Sequence, residues 1–580
     1  MKQWMYRQSH ADLQKLSEAY GISEIMAEIL VKRGLTTWEG MNQYLYPSLE
    51  KLASPELMKD MDKALGILEQ KLRQHKKIGI IGDYDVDGVM STSILYLGLQ
   101  ELGADVTWRI PHRVRDGYGI RGYMAEEAKA DGVDTIITCD NGISATDAIS
   151  RAKELEMTVI VTDHHEVPLD LETGEEILPL ADAIVDPKQS ACGYPCKILC
   201  GAGVAYRLIE ALWKKMGCEN QTLQEELLTF AGIATVCDVV PLQQENRIIV
   251  RRGLELIQDT TNIGLKALIE QQNFERDINS TDLGFRIGPC LNAAGRLADA
   301  ALGVELLLEK DSGQAQKKAA QLVEWNEQRK ELTAQATEEA IEQIEKEGYL
   351  ENPVLVVYLE NCHESVAGIV AGRIREKYYR PTMIVTDSGN HLKGSGRSVP
   401  EYHMQSGLNQ CQEYLIEFGG HALAAGFSLE RDQLENLRRE LNVRSGIQVE
   451  QLIEKITLDR EVPLGQVDQK LLLELQLLQP VGEGNASPLF AERKLRVKSV
   501  RLFGKENQIG RFRVCDKGKW YDIVDFNVEL HMKETLVQRY SETAWNEIIS
   551  GIGDYEVDIL YAPSRNAKYG DVQYQVVDCR

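Results

Sequence analysis

Short apolar runs alternate with helix-forming segments through the first third of the chain. Three of the runs are continuous and rich in β-branched residues: 78–81, 135–138 and 158–161. Such runs are typical of strands whose two faces are both covered by helices. The helix-forming segments that follow them are 91–102, 123–130 and 144–155. The alternation of strand and helix predicts a parallel α/β sheet.

Acidic and histidine side chains follow each of these predicted strands, and one more acid lies further along. They are Asp83, Asp85 and Asp87 in GDYDVDG, Asp140 in CDNG, Asp163, His164 and His165 in TDHH, and Asp238 in CDVVPL. Because ligands gather at the carboxyl ends of parallel strands, acidic turns at three strand ends are expected to converge on one crevice. Carboxylate oxygens with an imidazole suit Mn²⁺ or Mg²⁺, so the pattern predicts a divalent-metal site.

Each aspartate taken alone is better explained as a turn residue or a helix N-cap. Asp83, Asp85 and Asp87 also resemble half of a calcium loop, but the glutamate expected further along is missing and a strand precedes them. The recurrence of acids at several strand ends favours the metal site. Two adjacent histidines after Asp163 add to it, because one of them must point away from whatever the other packs against.

A second lobe is predicted after a long polar segment. Residues 311–347 are rich in Ala, Gln, Glu and Lys and contain no Pro, which suits a helix that connects two domains. A strand at 354–358 then opens a smaller α/β unit that runs to about residue 444.

The C-terminal region changes to short alternating segments, which predict a compact β-barrel: 495–500, 511–514, 521–526 and 557–561. Between residues 491 and 520 the chain carries ten Lys or Arg against three acids. Basic side chains interleaved with Phe503, Phe512 and Trp520 are typical of an OB-fold that follows a nucleic-acid backbone and stacks its bases. Phe503, Arg511 and Trp520 are therefore candidate nucleic-acid contacts. The alternative is a solvated strand face with aromatic core residues.

Four acidic motifs occur in the order DYDVDG, CDNG, DHH and CDVVPL, and this order resembles the DHH phosphoesterase superfamily. Five further motifs narrow the resemblance to the RecJ family: IPHRVRDGYG (110–119), IGPCLNAAGRL (287–297), KGSGRS (393–398), GGHALAAG (419–426) and PVGEGNASPLF (480–490). GSGRS is weak by itself, but the ordered set is specific. The resemblance covers the chain from about Leu30 to the C-terminal segment.

The resemblance implies an α/β protein with a parallel-sheet DHH catalytic domain, a long connecting helix, a smaller α/β DHH-associated domain and a C-terminal OB-fold β-barrel. The expected boundaries are 1–75 for an N-terminal helical segment, then 76–305, 306–350, 351–447 and 455–580 for these four parts. It also implies a single-strand-specific 5′→3′ exonuclease that hydrolyses phosphodiester bonds of DNA by a two-metal mechanism. Such an enzyme releases 5′-mononucleotides in DNA repair and recombination, with Mn²⁺ or Mg²⁺ as cofactor.

The same resemblance implies roles for the acidic motifs. The expected metal ligands are Asp83, Asp85, Asp87, Asp140, His164 and Asp238. The expected catalytic residues are Asp85, Asp87, Asp163, His164 and His165, of which Asp163 and His165 are ligands, supports for the ligands or proton-handling groups. Many family members have a histidine four residues before the second Asp of the first motif, where this chain has Ile81. Either Asp83 supplies the missing ligand or one metal binds more weakly.

The expected contacts to DNA and its 5′-phosphate outside the barrel are Arg113, Tyr118, Asn292, Arg296, Ser395, Arg397 and His421. Arg113 can clamp a phosphate and Tyr118 can stack a base, although a surface arginine and a turn tyrosine are the plainer alternatives. The resemblance implies that Arg113, Ser395 and Arg397 form a pocket for the terminal phosphate. Glycines around Ser395 and His421 would let backbone N–H groups approach an anion. A pocket at the end of the groove would make the enzyme start at a terminus.

The net charge of the chain conflicts with the expected binding of nucleic acid. A net charge of −24 does not suggest nucleic-acid binding, but part of that acidity is the predicted metal site, and phosphate contact depends on local potential. The N-terminus lacks the apolar core of a signal peptide, no apolar run is long enough to span a membrane, and no GxxxxGK[ST] motif indicates an ATP-driven motor. A cytoplasmic monomer is expected, with single-stranded DNA as substrate and a helicase and a single-strand-binding protein as partners.

Three functions from different classes fit these motifs. The first is the single-strand exonuclease. The second is a DHH phosphodiesterase that acts on short oligonucleotides or cyclic dinucleotides, or a pyrophosphatase, although the basic and aromatic C-terminal region speaks against both. The third is a non-catalytic relative that serves as a scaffold, which is disfavoured because every acid of the motifs is present.

Overall fold

The computed structural model describes residues 2–6, 11–113, 115–170, 172–504, 507–565 and 571–580. Val114 of the IPHRVRDGYG motif and Lys505 and Glu506 of the basic stretch lie outside the described residues. The chain divides into two compact units: residues 1–52, 241–251 and 454–580 form the barrel unit, and 53–240 and 252–453 form the two-sheet unit. Throughout the described chain, every helix is too short or too polar to cross a membrane.

The barrel unit begins with strand β1 (Gln3–Tyr6) and helices α1 (Leu13–Tyr20), α2 (Glu24–Lys32) and α3 (Trp38–Leu45). Each helix starts at a capping side chain, since Asp12, Ser23 and Thr37 accept backbone N–H groups of the first turn. Met26 and Leu30 of α2 are fully buried in one hydrophobic core with strands of the C-terminal barrel. The N-terminal helices therefore belong to the same core as the barrel.

The two-sheet unit opens with α4 (Met61–Arg73) and a five-stranded parallel sheet. The elements of the sheet and its crossovers are β2 (Ile78–Ile81), α5 (Val86–Glu101), β3 (Val106–Arg109), α6 (Gly122–Ala130), β4 (Thr135–Cys139), α7 (Thr146–Glu154), β5 (Thr158–Thr162) and β6 (Ala183–Val185). The strand order is β3-β2-β4-β5-β6. Every residue of β2, β4 and β6 is buried, so the predicted parallel sheet with continuous apolar strands is confirmed.

A layer of helices follows the sheet. It consists of α8 (Gly201–Met216), α9 (Gln221–Cys237), α10 (Gln244–Leu256), α11 (Ile263–Gln271), α12 (Ser280–Asp282), α13 (Gly288–Leu297) and α14 (Ala301–Leu307). Helix α5 packs closely on α8 at Gly98. A Cβ at this position of α5 would lie only 2.5 Å from the Ile209 side chain of α8. The first part of α10, up to Arg251, belongs to the barrel unit.

The predicted connecting helix is α15 (Ser312–Lys346). It leads to the second sheet, whose elements are β7 (Leu355–Tyr358), α16 (Glu364–Tyr378), β8 (Thr382–Ser388), β9 (His391–Arg397), α17 (Met404–Gln410), β10 (Glu417–Gly420), β11 (Ala424–Leu429) and α18 (Leu434–Arg444). The strand order is β10-β11-β9-β8-β7, with only β7 and β8 parallel among these neighbouring pairs. This is the predicted smaller α/β region.

The C-terminal part of the barrel unit contains β12 (Lys455–Leu458), β13 (Arg460–Glu461), α19 (Gln469–Gln476), β14 (Phe490–Phe503), β15 (Ile509–Asp516), β16 (Lys519–Asp525), α20 (Glu534–Arg539), α21 (Glu542–Ile549), β17 (Tyr555–Arg565) and β18 (Val572–Cys579). Strands β14-β15-β16-β18-β17 form a closed ring, because β14 also pairs with β17. The predicted barrel is confirmed. Along β15, Phe512 and Val514 point inward while Arg511 and Arg513 are exposed.

Candidate active site

Acidic residues stand at the ends of four strands of the parallel sheet. Asp140, Asp163 and Asp186 directly follow β4, β5 and β6, and Asp83 follows β2 by two residues. The backbone N–H groups of Asp140 and Asp163 each donate to the neighbouring strand at 3.1 Å, which keeps the row in register. The buried strands thus deliver a row of carboxylates to one edge of the sheet.

Helix ends supply three more carboxylates. Asp85 is the N-cap of α5 and accepts the Gly88 N–H at 3.1 Å. Asp87, in the first turn of α5, accepts the first two N–H groups of α8 at 2.6 and 2.7 Å. Asp238 stands at the C-terminal end of α9. The N-termini of α5 and α8 therefore hold the side chains of Asp85 and Asp87, whereas only the backbone of Asp238 is placed by a helix end.

His164 joins these carboxylates. Its Nε2 lies 3.1 Å from Asp140 Oδ1, 3.5 Å from Asp87 Oδ2 and 3.7 Å from Asp238 Oδ2. Three sets of possible ligand atoms each lie within 4.8 Å of one another: Asp83 with Asp85 and Asp140, Asp87 with His164 and Asp238, and Asp140 with His164 and His165. Carboxylate oxygens with imidazole nitrogen are the donors that Mn²⁺ and Mg²⁺ accept. The residues present fit a divalent-metal site, and we call Asp83, Asp85, Asp87, Asp140, Asp238 and His164 the carboxylate cluster.

Burial, and after it the repulsion between neighbouring carboxylates, shifts the pKa values of these groups. Burial, followed by the charge of Asp85, raises the pKa of Asp83 well above its ordinary value. Burial and then Asp87 raise the pKa of Asp140, and the same two causes raise the pKa of Asp238 to about 9. Burial lowers the pKa of His164, which favours the neutral imidazole that a metal ligand must be. A cation among these groups would relieve the repulsion.

Asp163, His165 and Tyr118 form a second layer beside the cluster. Asp163 Oδ1 lies 2.8 Å from His165 Nδ1. Burial alone would lower the pKa of His165, but the hydrogen bond and charge of Asp163 raise it to about 9. The Tyr118 hydroxyl donates to the Asp140 carbonyl at 2.8 Å and lies 2.9 Å from His165 Nδ1. Tyr118 is therefore held at the edge of the cluster and is not a free turn residue.

A pocket of about 480 Å³ in the same unit gathers arginines. Its lining includes Tyr84, Arg113, Ser365, Ser395 and Arg397. The Arg113 guanidinium lies 4.5 Å over the Tyr84 ring, and among the described residues neither Arg113 nor Arg397 pairs with a carboxylate. Because Tyr84 lies between Asp83 and Asp85 in the sequence, this arginine pocket adjoins the carboxylate cluster.

Arg296 extends the positive charge of the arginine pocket. It reaches from α13 to donate to the carbonyl of Ser365, a lining residue, at 2.6 Å. Burial, followed by the charge of Arg113, lowers the pKa of Arg296 to about 9. The same two causes lower the pKa of Arg397. An anion bound among these guanidinium groups would be strongly favoured.

The remaining predicted residues of the two-sheet unit lie in several places. Ser395 and Arg397 stand on β9, which pairs with a strand on either side, so its backbone groups serve the sheet. Glycine makes room for their side chains, because a Cβ at Gly368 would lie 2.8 Å from Ser395 Oγ and 3.0 Å from Arg397 Nη2. His421 is exposed between β10 and β11 and does not line the pocket. Asn292 is half-buried on α13.

The barrel unit has its own candidate surface. Phe503, Arg511 and Trp520 line a cleft of about 510 Å³, and the two aromatic side chains are 42% and 47% exposed. Phe512 is fully buried in the barrel core, so it is a core residue and is not available to stack on a base. Arg493 pairs with Glu461 outside the cleft. The basic stretch therefore serves more than one surface.

Two residues of the site were missed in the sequence. Asp186 is fully buried, its Oδ2 has no hydrogen-bond partner among the described residues, and burial with the nearby Asp163 raises its pKa to about 7. Like the predicted acids, Asp186 follows an apolar run in the sequence, but this run, strand β6, is only three residues long. Tyr84 stands inside GDYDVDG, yet no pattern indicates that its ring reaches the arginine pocket.

Comparison with known families gives three matches along the chain. Residues 77–235 match the DHH family, N-terminal domain; residues 351–444 match the DHHA1 domain; residues 458–578 match the RecJ OB domain. The carboxylate cluster lies almost entirely within the first match, with Asp238 just beyond it. The barrel cleft lies within the third.

Individual proteins agree with these matches. A Bacillus subtilis protein named single-stranded-DNA-specific exonuclease RecJ is 35% identical over 532 residues, which cover 91% of this chain and 66% of that protein. The protein of the same name from Salmonella typhimurium is 34% identical over 543 residues, 89% of each chain. The crystal structure of RecJ from Thermus thermophilus in complex with Mn²⁺ gives a TM-score of 0.81 at 28% identity and covers 100% of this chain and 79% of that one.

Proposed function

Because the chain belongs to the RecJ family, we propose that it is a single-stranded-DNA-specific 5′→3′ exonuclease. It hydrolyses phosphodiester bonds and releases 5′-mononucleotides in DNA repair and recombination. One observation carries the proposal: a buried carboxylate cluster that favours a cation adjoins a pocket whose arginines have no carboxylate partner within the described part of the chain, with Tyr84 between them. The first site suits a metal-assisted hydrolysis and the second suits the charged end of a strand.

Two Mn²⁺ or Mg²⁺ ions are the proposed cofactors. Asp83, Asp85 and Asp140 would hold one, and Asp87, His164 and Asp238 the other. When bound, such ions neutralise the charge on a phosphodiester and lower the pKa of the attacking water. Ile81 is buried within β2, so Asp83 is the proposed ligand in place of the family histidine.

The protein's own groups orient the substrate and handle its protons. Arg113, Arg296 and Arg397, with Ser395, bind the 5′-terminal phosphate, and this contact sets how far the strand enters. The next phosphodiester is then the bond presented to the carboxylate cluster, so the product is a mononucleotide. His165, which is cationic at neutral pH and held by Asp163, donates a proton to the leaving 3′ oxygen. Tyr118 packs beside the reacting nucleotide.

Capture of the longer strand falls to the barrel. Phe503, Arg511 and Trp520 stack bases and contact the backbone. Asn292 and His421 do not line the arginine pocket, so we assign them to the strand and not to the terminal phosphate. This division follows the domain boundaries expected from the sequence, with catalysis in 76–305 and 351–447 and capture in 455–580.

The activity needs a supply of single strands. A helicase that unwinds duplexes and a single-strand-binding protein that keeps the product strand open are the partners that this chemistry requires. All residues of the proposed catalytic site come from one chain, so a monomer suffices.

A substrate panel tests the proposal. The protein is given Mn²⁺ and, separately, a long 5′-phosphorylated single strand, the same strand closed into a circle, a duplex, a linear dinucleotide, a cyclic dinucleotide and pyrophosphate. Mononucleotides are expected from the linear strand, with a 5′ label released first, and the circle is expected to survive. Cleavage of the circle, or preference for a dinucleotide or pyrophosphate, would overturn the proposal and favour a small-substrate phosphodiesterase.

A further inference from the structure

The barrel cleft contains a carboxylate among its arginines. Arg511 and Arg513 are two residues apart on β15, and Trp520 and Asp522 are two apart on β16, so each pair shares one face of its strand. Arg513 stands opposite Asp522 in the register of the two strands. All four side chains line the same cleft.

Asp522 binds both guanidinium groups at once. Its Oδ2 lies 3.0 Å from Arg511 Nη2, and its Oδ1 lies 3.0 Å from Arg513 Nη1. Among the described residues no other carboxylate pairs with either arginine. The Asp522 side chain is only 33% exposed, whereas the two arginine side chains are 57% and 48% exposed. The carboxylate thus sits below the arginines and occupies the positions that two phosphate oxygens would take.

We propose that Asp522 is an internal competitor for the phosphates of the bound strand, an inference that rests on the proposed role of the barrel in strand capture. To contact a phosphate, Arg511 or Arg513 would have to give up its charge-assisted hydrogen bond with Asp522. Each new bond therefore replaces an existing one. The exchange gains little, so the cleft holds a strand mainly by stacking on Phe503 and Trp520. The two arginines then contribute little to affinity.

This arrangement suits a strand that has to move. An exonuclease shortens its substrate from one end, and the strand must advance after every cleavage. If the phosphates bound two unpaired arginines, those strong contacts would have to be broken each time the strand advances. Because Asp522 can pair with the arginines again as a phosphate leaves, it lowers the free-energy barrier to strand movement. Asp522 therefore sets how tightly the cleft holds a strand, and it is not a catalytic residue.

The test compares Asp522→Asn with the unchanged protein in binding of a single-stranded homopolymer over a range of salt concentrations. Freeing both arginines is expected to tighten binding about tenfold at low salt. The slope of log K against log salt should steepen by about 1.4, since each added phosphate contact on a single strand contributes about 0.7. Asp554→Asn is the matched control, because it removes the same charge from another arginine pair on the barrel, Arg496 with Asp554 at 3.9 Å, outside the cleft.

Two further variants separate the possible outcomes. In an Arg511→Ala, Arg513→Ala background, Asp522→Asn should gain nothing. If Trp520→Ala weakens binding while Asp522→Asn leaves both affinity and slope unchanged, the competitor proposal is overturned and strand capture by the barrel stands. If Trp520→Ala, the double arginine variant and Asp522→Asn all bind as the unchanged protein does, strand capture by the barrel fails and the competitor proposal fails with it. A gain of the same size in Asp554→Asn would also overturn the proposal, because net charge would then be the cause.

Discussion

The arginines of the two candidate binding surfaces, one in each unit, differ in whether a carboxylate pairs with them. In the two-sheet unit, Arg113, Arg296 and Arg397 have no carboxylate partner among the described residues, because Glu364, which lines the same pocket, pairs with Lys393. Burial lowers the pKa of Arg296 and Arg397. In the barrel unit, Arg511 and Arg513 share Asp522 and are half exposed. Burying unpaired charge destabilises a fold unless a ligand of opposite charge arrives, whereas a surface pair costs little.

Under the proposed function, this difference corresponds to two kinds of contact with one strand. A preformed and unpaired set of arginines binds one anion tightly in one place, which suits a terminal phosphate that defines where cleavage falls. Arginines that already pair with a carboxylate of the protein bind a phosphate weakly and release it readily. This behaviour suits a DNA backbone that moves through the cleft.

The largest effect is expected at the metal ligands, where binding and chemistry separate. Asp140→Ala removes a member of two ligand sets and should lower kcat by about 10³-fold or more. Strand affinity measured in EDTA should not change, because neither arginine set is touched. Asp147→Ala, an exposed residue of α7, is the control and should retain full activity. Loss of strand binding in Asp140→Ala would show that binding and chemistry are not separate.

Removal of a pocket arginine should abolish the preference for a strand with a 5′-phosphate. Arg397→Ala is expected to raise KM for a 5′-phosphorylated strand about 50-fold, because a buried charge-assisted contact is lost. The KM for a strand with a 5′-hydroxyl should hardly change, so the two substrates become equal. Arg439→Ala, which alters an exposed pair with Glu440 in the same unit, serves as control. A preference for 5′-phosphate that survives in Arg397→Ala would argue against a fixed anion site.

Removal of a stacking ring in the barrel should act on affinity alone. Trp520→Ala is expected to weaken binding of a long single strand about tenfold, which is within the range for one stacked base. The salt slope should be preserved, since no phosphate contact is lost. Trp38→Ala provides the comparison, because that tryptophan is 61% exposed elsewhere in the barrel unit. An altered slope in Trp520→Ala would mean that the cleft relies on charge after all.

The smallest effect concerns the stability of the metal-free protein. The pKa of Asp238 rises from 3.8 to about 9 in the folded state, so its contribution to stability is present below about pH 4 and is lost as pH rises towards 9. In EDTA, Asp238→Asn should therefore raise Tm by roughly 2 °C at pH 8 and by less at pH 6. Thermal melts at both pH values measure this. Mn²⁺ should stabilise the unchanged protein more at pH 8 than at pH 6, because its ligands bind deprotonated.

The sequence around each strand predicted most of the acidic residues at the carboxyl end of the parallel sheet. The strand Ile78–Ile81 was predicted at its observed bounds, and each acid named from a strand end lies in the carboxylate cluster or beside it. These features depend on residues close together in the chain, where an apolar run and a turn leave few alternatives. Asp186 was missed because its strand is too short to show a pattern.

Contacts between distant segments were harder to predict. The glycines of KGSGRS were expected to free backbone N–H groups for an anion, whereas they lie in a strand paired on both sides and give space to side chains. Composition alone did not separate Phe512 from Trp520, since inward or outward direction depends on the register of the barrel. Tyr84 reaches the arginine pocket only because two sheets far apart in sequence meet there.

The barrel unit takes its core from both ends of the chain. Met26 and Leu30 pack with Phe490 and Tyr561 in one cluster, although more than four hundred residues lie between them in the sequence. During synthesis on the ribosome, these helices emerge well before the barrel strands, so their apolar faces stay uncovered until those strands have been made. A barrel expressed from its own gene fragment would lack those helices and expose the matching apolar surface, so aggregation of the isolated fragment is the expected behaviour.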